Sequence, residues 1–229
     1  MSQNFLKRVI TSIILICLLI FINFSHQYIF IVSILILGLI ICIEANNLFS
    51  KLLTNIYYKK NSTINKFNIN FVFLNILTFC YIFFVFCNLS YEIHNSESPL
   101  FFLYVISICF FTDIGGYVFG KIIGGKKLSK ISPNKTISGS VGSFIFSIFP
   151  LIFVLNFNYL DLEINLTNIF FCLLISLISQ LGDLFISFIK RKAKIKDTGK
   201  LLPGHGGALD RVDGIIFAVP FSYFLLRLI

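Results

Sequence analysis

Long unbroken apolar runs separated by short polar stretches organise this chain, with bounds near 9–25, 28–49, 69–90, 99–120, 139–157, 166–189 and 212–229. A helix rises about 1.5 Å per residue, so ~20 apolar residues cross a hydrocarbon core of about 30 Å. Most of the runs are near that length, and the first and last are shorter. None shows the residue-by-residue alternation of a membrane barrel strand. Helices are then the remaining way to satisfy backbone polar groups in lipid. The pattern predicts an all-α, polytopic integral membrane helical bundle of about seven transmembrane helices. No A-x-A-like cleavage site follows residues 1–25, so the first run is read as a membrane helix and not as a removed signal.

The charged positions sharpen the pattern into a topology. Lys7 and Arg8 precede the first run, and Lys51, Lys59, Lys60 and Lys66 lie between the second and third. Lys121, Lys126, Lys127, Lys130 and Lys135 follow the fourth, and Lys190 to Arg211 follow the sixth. The alternate loops carry only Glu92, Glu97, Asp161 and Glu163, and Arg227 alone falls on the other side. The positive-inside rule turns this asymmetry into a cytoplasmic N-terminus with seven crossings.

Composition agrees with that reading. Of 229 residues, 57% are hydrophobic and 13% charged, against roughly half and a quarter in soluble domains. The net charge of +9 would point to nucleic acid in a soluble protein. Here the cations lie between apolar runs, so topology and anionic lipid headgroups account for them and no nucleic-acid partner is expected. The cysteines (Cys17, Cys42, Cys80, Cys87, Cys109, Cys172) all fall within apolar runs without paired short spacing, and are read as small buried hydrophobes.

Candidate chemistry begins in the fourth run. Asp113 lies in F-F-T-D-I-G-G-Y-V-F-G, where a carboxylate costs about 2.5–3.5 kcal/mol to insert and so faces a bundle interior or a wet cavity. Gly116 and Gly120 share its helical face and would admit a close neighbour. The next loop, G-K-I-I-G-G-K-K-L-S-K-I-S-P-N-K-T-I-S-G-S, mixes lysines, hydroxyls and glycines suited to phosphate, including Lys135 and Thr136. Thr136 or Ser138 is placed to cap the following helix.

In the sixth run Gln180, Asp183, Ser187 and Lys190 or Arg191 recur at helical spacing along one edge. They align a metal ligand, a hydroxyl and a phosphate clamp. Lys196, Asp197 and P-G-H-G-G-A-L-D-R-V-D follow, with His205 among Gly204, Gly206 and Gly207, then Asp210, Arg211 and Asp213. Glycines allow the chain to approach a phosphate closely. Carboxylate and phosphate oxygens suit Mg²⁺, which fits Asp183 plus Asp210, whereas one His without usable Cys does not suit zinc. Glu44 with Asn46 and Asn47 is read as interfacial polar groups at a helix end. His26 and His94 fall at outer helix ends, away from these motifs.

The run S-F-I-K-R, K-D-T-G, L-P-G-H-G-G-A-L-D-R-V-D, from Ser187 to Asp213, resembles the C-terminal signature of the phosphatidate cytidylyltransferase (CDP-diacylglycerol synthase) family and is complete. D-I-G-G-Y-V-F-G resembles the family's D-x-x-A-Y-x-x-G element, with Gly116 in the usual Ala place. I-S-P-N-K-T-I-S-G resembles its S-P-x-K-[ST]-x-E-G loop, with Ser138 where Glu is usual.

The resemblance implies CTP + phosphatidate → CDP-diacylglycerol + pyrophosphate in a membrane bilayer, with Mg²⁺ required and a second cation left open. It implies a metal on Asp183 and Asp210, phosphate clamping by Lys190, Arg191, Lys196 and Arg211, and donation from Ser187. His205 and its glycines would shape the nucleotide pocket, with Asp113 and Asp213 orienting or ligating. Residues 1–98 then form a frame, and 99–229 a catalytic region with cytoplasmic loops 121–138 and 190–211. Small-residue helix faces leave room for a homodimer. Two other functions share some of these features. A CTP-dependent enzyme on another lipid (a polyprenol kinase or an archaeol-type cytidylyltransferase) shares the charged-loop logic but not the intact signature. A transporter would spread its charges through the bilayer centre, where here they crowd at one face.

Overall fold

The computed structural model describes residues 3–58, 64–128, 132, 135–157, 163–202, 204 and 206–228. These form ten α-helices: α1 (Gln3–Phe24), α2 (Gln27–Tyr58), α3 (Ile64–Cys80), α4 (Asn88–Glu92), α5 (Pro99–Ile122), α6 (Ile137–Phe146), α7 (Phe149–Phe157), α8 (Leu166–Lys192), α9 (Leu209–Val212) and α10 (Ile215–Leu228). Wider π-helical turns at Tyr81–Cys87 and Ile93–Glu97 flank α4. Among the described residues there is no strand, only isolated bridges at Lys127–Thr136 and Leu202–Gly206. The all-α expectation holds.

Five stretches are long and apolar enough to cross a membrane: Gln27–Tyr57, Asn68–Glu97, Pro99–Ile122, Ile137–Val154 and Leu166–Lys192. They correspond to the middle five of the seven runs. The first run forms a shorter apolar helix, Val9–Phe24. The last forms α10, 14 residues with Pro220 inside.

Local sequence explains several helix ends. Ser98 caps α5 by accepting from the Phe101 N–H at 3.0 Å, with Pro99 in the first turn, where its missing N–H costs nothing. Helix α8 ends on Lys190, Arg191 and Lys192, cations that suit the negative end of a helix dipole. Lys194 then turns left-handed at φ 57°, and the Ile195 N–H closes onto the Lys190 carbonyl at 3.0 Å.

The chain divides into two compact units, one of Met1–Tyr91 with Ile189–Val212 and one of Glu92–Phe188 with Asp213–Ile229. In the first, α2 buries Phe30, Ile34, Ile41, Ala45 and Leu48 at helical spacing. Val32, Ile36, Leu39 and Ile43 lie on its exposed face. Large apolar groups turned outward are stable when the surroundings are lipid. Close passage is set by Gly38, where a Cβ would lie 2.9 Å from the Cys87 sulfur.

In the second unit α5 is central. It packs on α6 through glycines: a Cβ on Gly115 would strike the Gly142 carbonyl, and one on Gly142 would strike the Phe119 side chain. A Cβ on Gly116 would come within 2.7 Å of the Ser143 hydroxyl. This is small-residue packing that lets two helices touch backbone to backbone. Behind it lie Tyr104, Val105, Ile108, Phe171 and Ile175, all buried, with the Tyr104 and Phe171 rings stacked 6.3 Å apart.

All six cysteines are free thiols, consistent with small apolar residues. Cys87, Cys109 and Cys172 are buried as expected, while Cys17 and Cys80 are exposed on apolar helices instead. Gly142→Leu should drive α5 and α6 apart, at a cost of about 1–3 kcal/mol or more. A thermal-unfolding assay in detergent should show a clear loss, with Ile36→Ala on the outward face close to wild type.

Candidate functional site

In the second unit the loop after α5 folds back as a small hairpin. The Leu128 N–H donates to the Lys135 carbonyl at 2.8 Å and the Ile137 N–H to the Lys126 carbonyl at 3.0 Å. Thr136 caps α6, accepting from the Gly139 N–H at 3.0 Å, so the expected cap is Thr136 and not Ser138. The Ser138 hydroxyl instead donates to the Gly124 carbonyl and lies 3.0 Å from that of Thr136. At this point the residue that departs from the usual Glu is spent on tying the hairpin.

A pocket of about 210 Å³ opens beside this hairpin, lined by Asp113, Tyr117, Lys135, Thr136, Ser140 and Gln180 among others. Gly116 and Gly139 line it too, and a Cβ on either would collide with the facing helix. A relay of side chains runs from its wall into the bundle. The Ser140 hydroxyl donates to Gln180 Oε1 at 2.6 Å, the Gln180 amide donates to Ser176 at 3.3 Å, and Thr112 donates to Ser176 at 3.0 Å. A satisfied polar network inside an apolar bundle fixes rotamers tightly. Gln180 was legible as part of a helical edge and Ser140 as the end of the hydroxyl-rich loop; Ser176 and Thr112 were not, because isolated hydroxyls in apolar runs carry no spacing signal.

Lys135 lines this pocket and also forms an ion pair with Asp183. Ser187, one turn further along α8, donates to Asp183 Oδ1 at 3.1 Å. The structure therefore joins the hairpin lysine, the helical aspartate and the signature serine in one cluster. Each of the two ionised side chains is roughly a quarter to a third exposed, which leaves the cluster open to a ligand. Asp213 is half-buried, accepting from the Gly214 N–H at 3.0 Å. The adjacent turn packs on α8, where Cβ atoms at Gly182 and Gly214 would collide with Phe217 and Ser179.

The first unit holds the rest of the signature. Lys190 donates to Asp210 Oδ1 at 2.7 Å, with side chains 9% and 4% exposed. The N–H groups of Thr198 and Gly207 donate to Asp210 Oδ2 at 2.8 and 3.0 Å. Asp210 thus gathers a helix end and two loop strands onto one carboxylate. Burial alone pushes this carboxyl up. The Lys190 hydrogen bond, the Gly207 and Thr198 N–H groups and the Lys190 charge outweigh burial and hold it below the ordinary aspartate value. The Leu202 N–H bonds the Gly206 carbonyl at 2.9 Å, and Gly206 sits at φ +85°, which its lack of a Cβ permits.

Arg191, Lys196, Asp197 and Arg211 are exposed on this unit, with Arg191 donating to the Ile195 carbonyl at 3.4 Å. His205 lies outside the described residues. Lys190, expected to clamp phosphate at headgroup level, is buried against Asp210. Glu44 is a correction: instead of an interfacial group it is buried and accepts three hydrogen bonds from the signature loop. The insertion cost that singled out Asp113 applies equally to a glutamate in an apolar run, and that signal was available.

Asp210→Asn should leave the Lys190 charge buried and uncompensated, a loss of about 3–5 kcal/mol. Trypsin should then cut faster at Lys200 and Arg211, and Lys190→Met with Asp210→Leu should recover part of the resistance. The pH sense follows from the depressed carboxyl. Its contribution is complete above the ordinary value near 3.8 and is lost as pH falls through the lower folded value. Acid-resistant proteolysis of this loop should rise only below about pH 4.

The chain matches the cytidylyltransferase family over residues 43–229. Its relatives include the phosphatidate cytidylyltransferase of Staphylococcus haemolyticus (strain JCSC1435), 41% identical over 133 residues, 58% of this chain and 51% of that protein. That of Staphylococcus aureus (strain COL) is 42% identical over 134 residues, with the same coverage. The chain spans about half the length of the curated relatives it matches. With the match running from the middle of α2 through both clusters, the chain belongs to the cytidylyltransferase family.

Proposed function

We propose that this protein transfers the cytidylyl group of CTP to phosphatidate, forming CDP-diacylglycerol and releasing pyrophosphate. The observation that carries the proposal is the Lys135–Asp183–Ser187 cluster on a pocket lined by hydroxyls and a second carboxylate, Asp113. The relatives named phosphatidate cytidylyltransferase support the same reaction and acceptor.

One substrate is an anionic lipid and the other a soluble triphosphate, so the reacting groups meet at the headgroup plane. Seven crossings with a cytoplasmic N-terminus would put the Lys-rich loops on the side where CTP is found. A phosphatidate oxygen attacks the α-phosphorus in line, the bond to the β-phosphate breaks, and pyrophosphate leaves. The nucleophile is already an anion, so no strong general base is needed. The obstacle is repulsion between two polyanions, and positioning with charge neutralisation lowers it. Lys135 would exchange part of its pairing with Asp183 for nucleotide phosphate oxygens, and Thr136, Ser140 and Ser187 offer hydroxyl donors. Arg191, Lys196 and Arg211 supply exposed positive charge on the signature loop.

Among the described residues no three His, Cys, Asp or Glu side chains gather to hold a metal. Mg²⁺ does not need such a cage, since it takes one or two carboxylates and fills its shell with water and substrate phosphate. The oxygen donors present fit it: Asp183 meets Lys135 and Ser187 but stays about a quarter exposed, and Asp113 lines the pocket that Lys135 shares. Asp210, the other carboxylate in the signature, has both oxygens committed to Lys190 and the loop. When bound, Mg²⁺ would neutralise phosphate charge and act as a Lewis acid.

The test uses purified full-length protein with phosphatidate in detergent micelles and CTP, with and without Mg²⁺. CDP-diacylglycerol and pyrophosphate should form in equal amounts, only with Mg²⁺, and Asp183→Asn should lose at least about 100-fold in kcat. Equal turnover by Asp183→Asn would remove Asp183 from the site, and product from a polyprenol but not from phosphatidate would overturn the acceptor.

A further inference from the structure

Glu44 lies in the middle of α2, 6% exposed, more than 150 residues from the loop it touches. Its Oε1 accepts the Ala208 N–H at 3.0 Å, and its Oε2 accepts the Leu209 N–H and the Thr198 hydroxyl, both at 2.9 Å. Thr198 is the hinge between two carboxylates, giving its hydroxyl to Glu44 and its N–H to Asp210. Gly199 and Gly207 make room: a Cβ at either would strike the Glu44 carboxylate. Two glycines of the signature are thus explained by a side chain from another helix.

We propose that Glu44 is a positioning residue whose buried carboxylate fixes the Thr198–Leu209 loop, and through it Asp210 and Lys190, in the geometry that the transfer reaction requires. The proposal rests on the cytidylyl-transfer reading. A carboxylate is needed because the three donors converge on two oxygens, and charge-assisted hydrogen bonds of this kind are the strong ones. A glutamine offers one carbonyl oxygen and an amide that can only donate there. Whichever way it turns, at least one of the Ala208, Leu209 and Thr198 donors faces another donor. An unmet buried donor of this kind shifts a local equilibrium by about 10- to 100-fold. A residue acting only as a brace would lower the stability of the whole unit. A positioning residue changes turnover by the folded enzyme, which shows in kcat with little change in KM.

The test compares wild type, Glu44→Gln, Glu44→Asp and Thr198→Val as full-length protein in detergent, by hydrogen exchange and by steady-state kinetics. Glu44→Gln should exchange faster by about 10- to 100-fold in peptides covering 198–212, with α5 and α6 peptides unchanged. Its kcat should fall at least about 10-fold at near-constant KM for CTP. Glu44→Asp, which keeps the charge, should restore part of both effects. Thr198→Val, which removes one donor, should show the same local pattern more weakly, and carries the test if Glu44→Gln does not fold. Wild-type exchange in the loop, a uniform loss of protection everywhere, or a loosened loop with unchanged kcat would each overturn the proposal. Exchange does not depend on the reaction. If wild type does not turn over CTP while the loop still loosens locally, the anchor stands and the proposed function falls.

Discussion

A carboxylate carried into an apolar helix or beneath a loop must find its compensation inside the protein. This chain has few acids, and those near its signature motifs are nearly all placed by that rule. Asp183 meets Lys135 and Ser187; Asp210 meets Lys190 and two backbone N–H groups; Glu44 meets three donors of the signature loop. Without these partners the cost of each buried charge would be several kcal/mol. With them, the same groups draw distant segments together: a hairpin lysine onto α8, and a Gly-rich loop onto α2.

The two ion pairs differ in a way that bears on chemistry. Lys190–Asp210 is almost closed to solvent, and both Asp210 oxygens are engaged. It shapes a loop. Lys135–Asp183 is several-fold more exposed and borders a pocket with further oxygen ligands. On the proposed function, a polyanion would compete for the lysine and a cation for the aspartate there. The same pair of residue types is therefore closed to solvent in one place and open to it in the other.

Much of this was legible in the sequence because membrane insertion writes a coarse signal. Five long apolar runs reappear as helices of crossing length, and Asp183 with Ser187 bond at the spacing that put them on one edge. The glycines of the fourth run meet α6 as expected. The terminal runs were less legible, since 14 to 16 apolar residues do not by themselves say whether a helix crosses. Long-range partners were not legible at all. Periodicity ties Asp183 to Ser187 but not to Lys135, and nothing local ties Glu44 to Thr198. Lys190 and Asp210 were both singled out, but not as partners, since spacing shows which residues are charged and not which charges neutralise each other.

Cytidylyl transfer to phosphatidate, the proposed reaction, requires that the α-phosphoryl group, with its nucleoside, pass to the lipid. The most direct measurement supplies CTP labelled with ³²P at either the α or the γ position, with phosphatidate and Mg²⁺, and follows the label into lipid. Cytidylyl transfer should leave α label in the lipid and γ label in pyrophosphate. Lipid carrying the γ label would contradict it, because that outcome belongs to a kinase and not to a cytidylyltransferase.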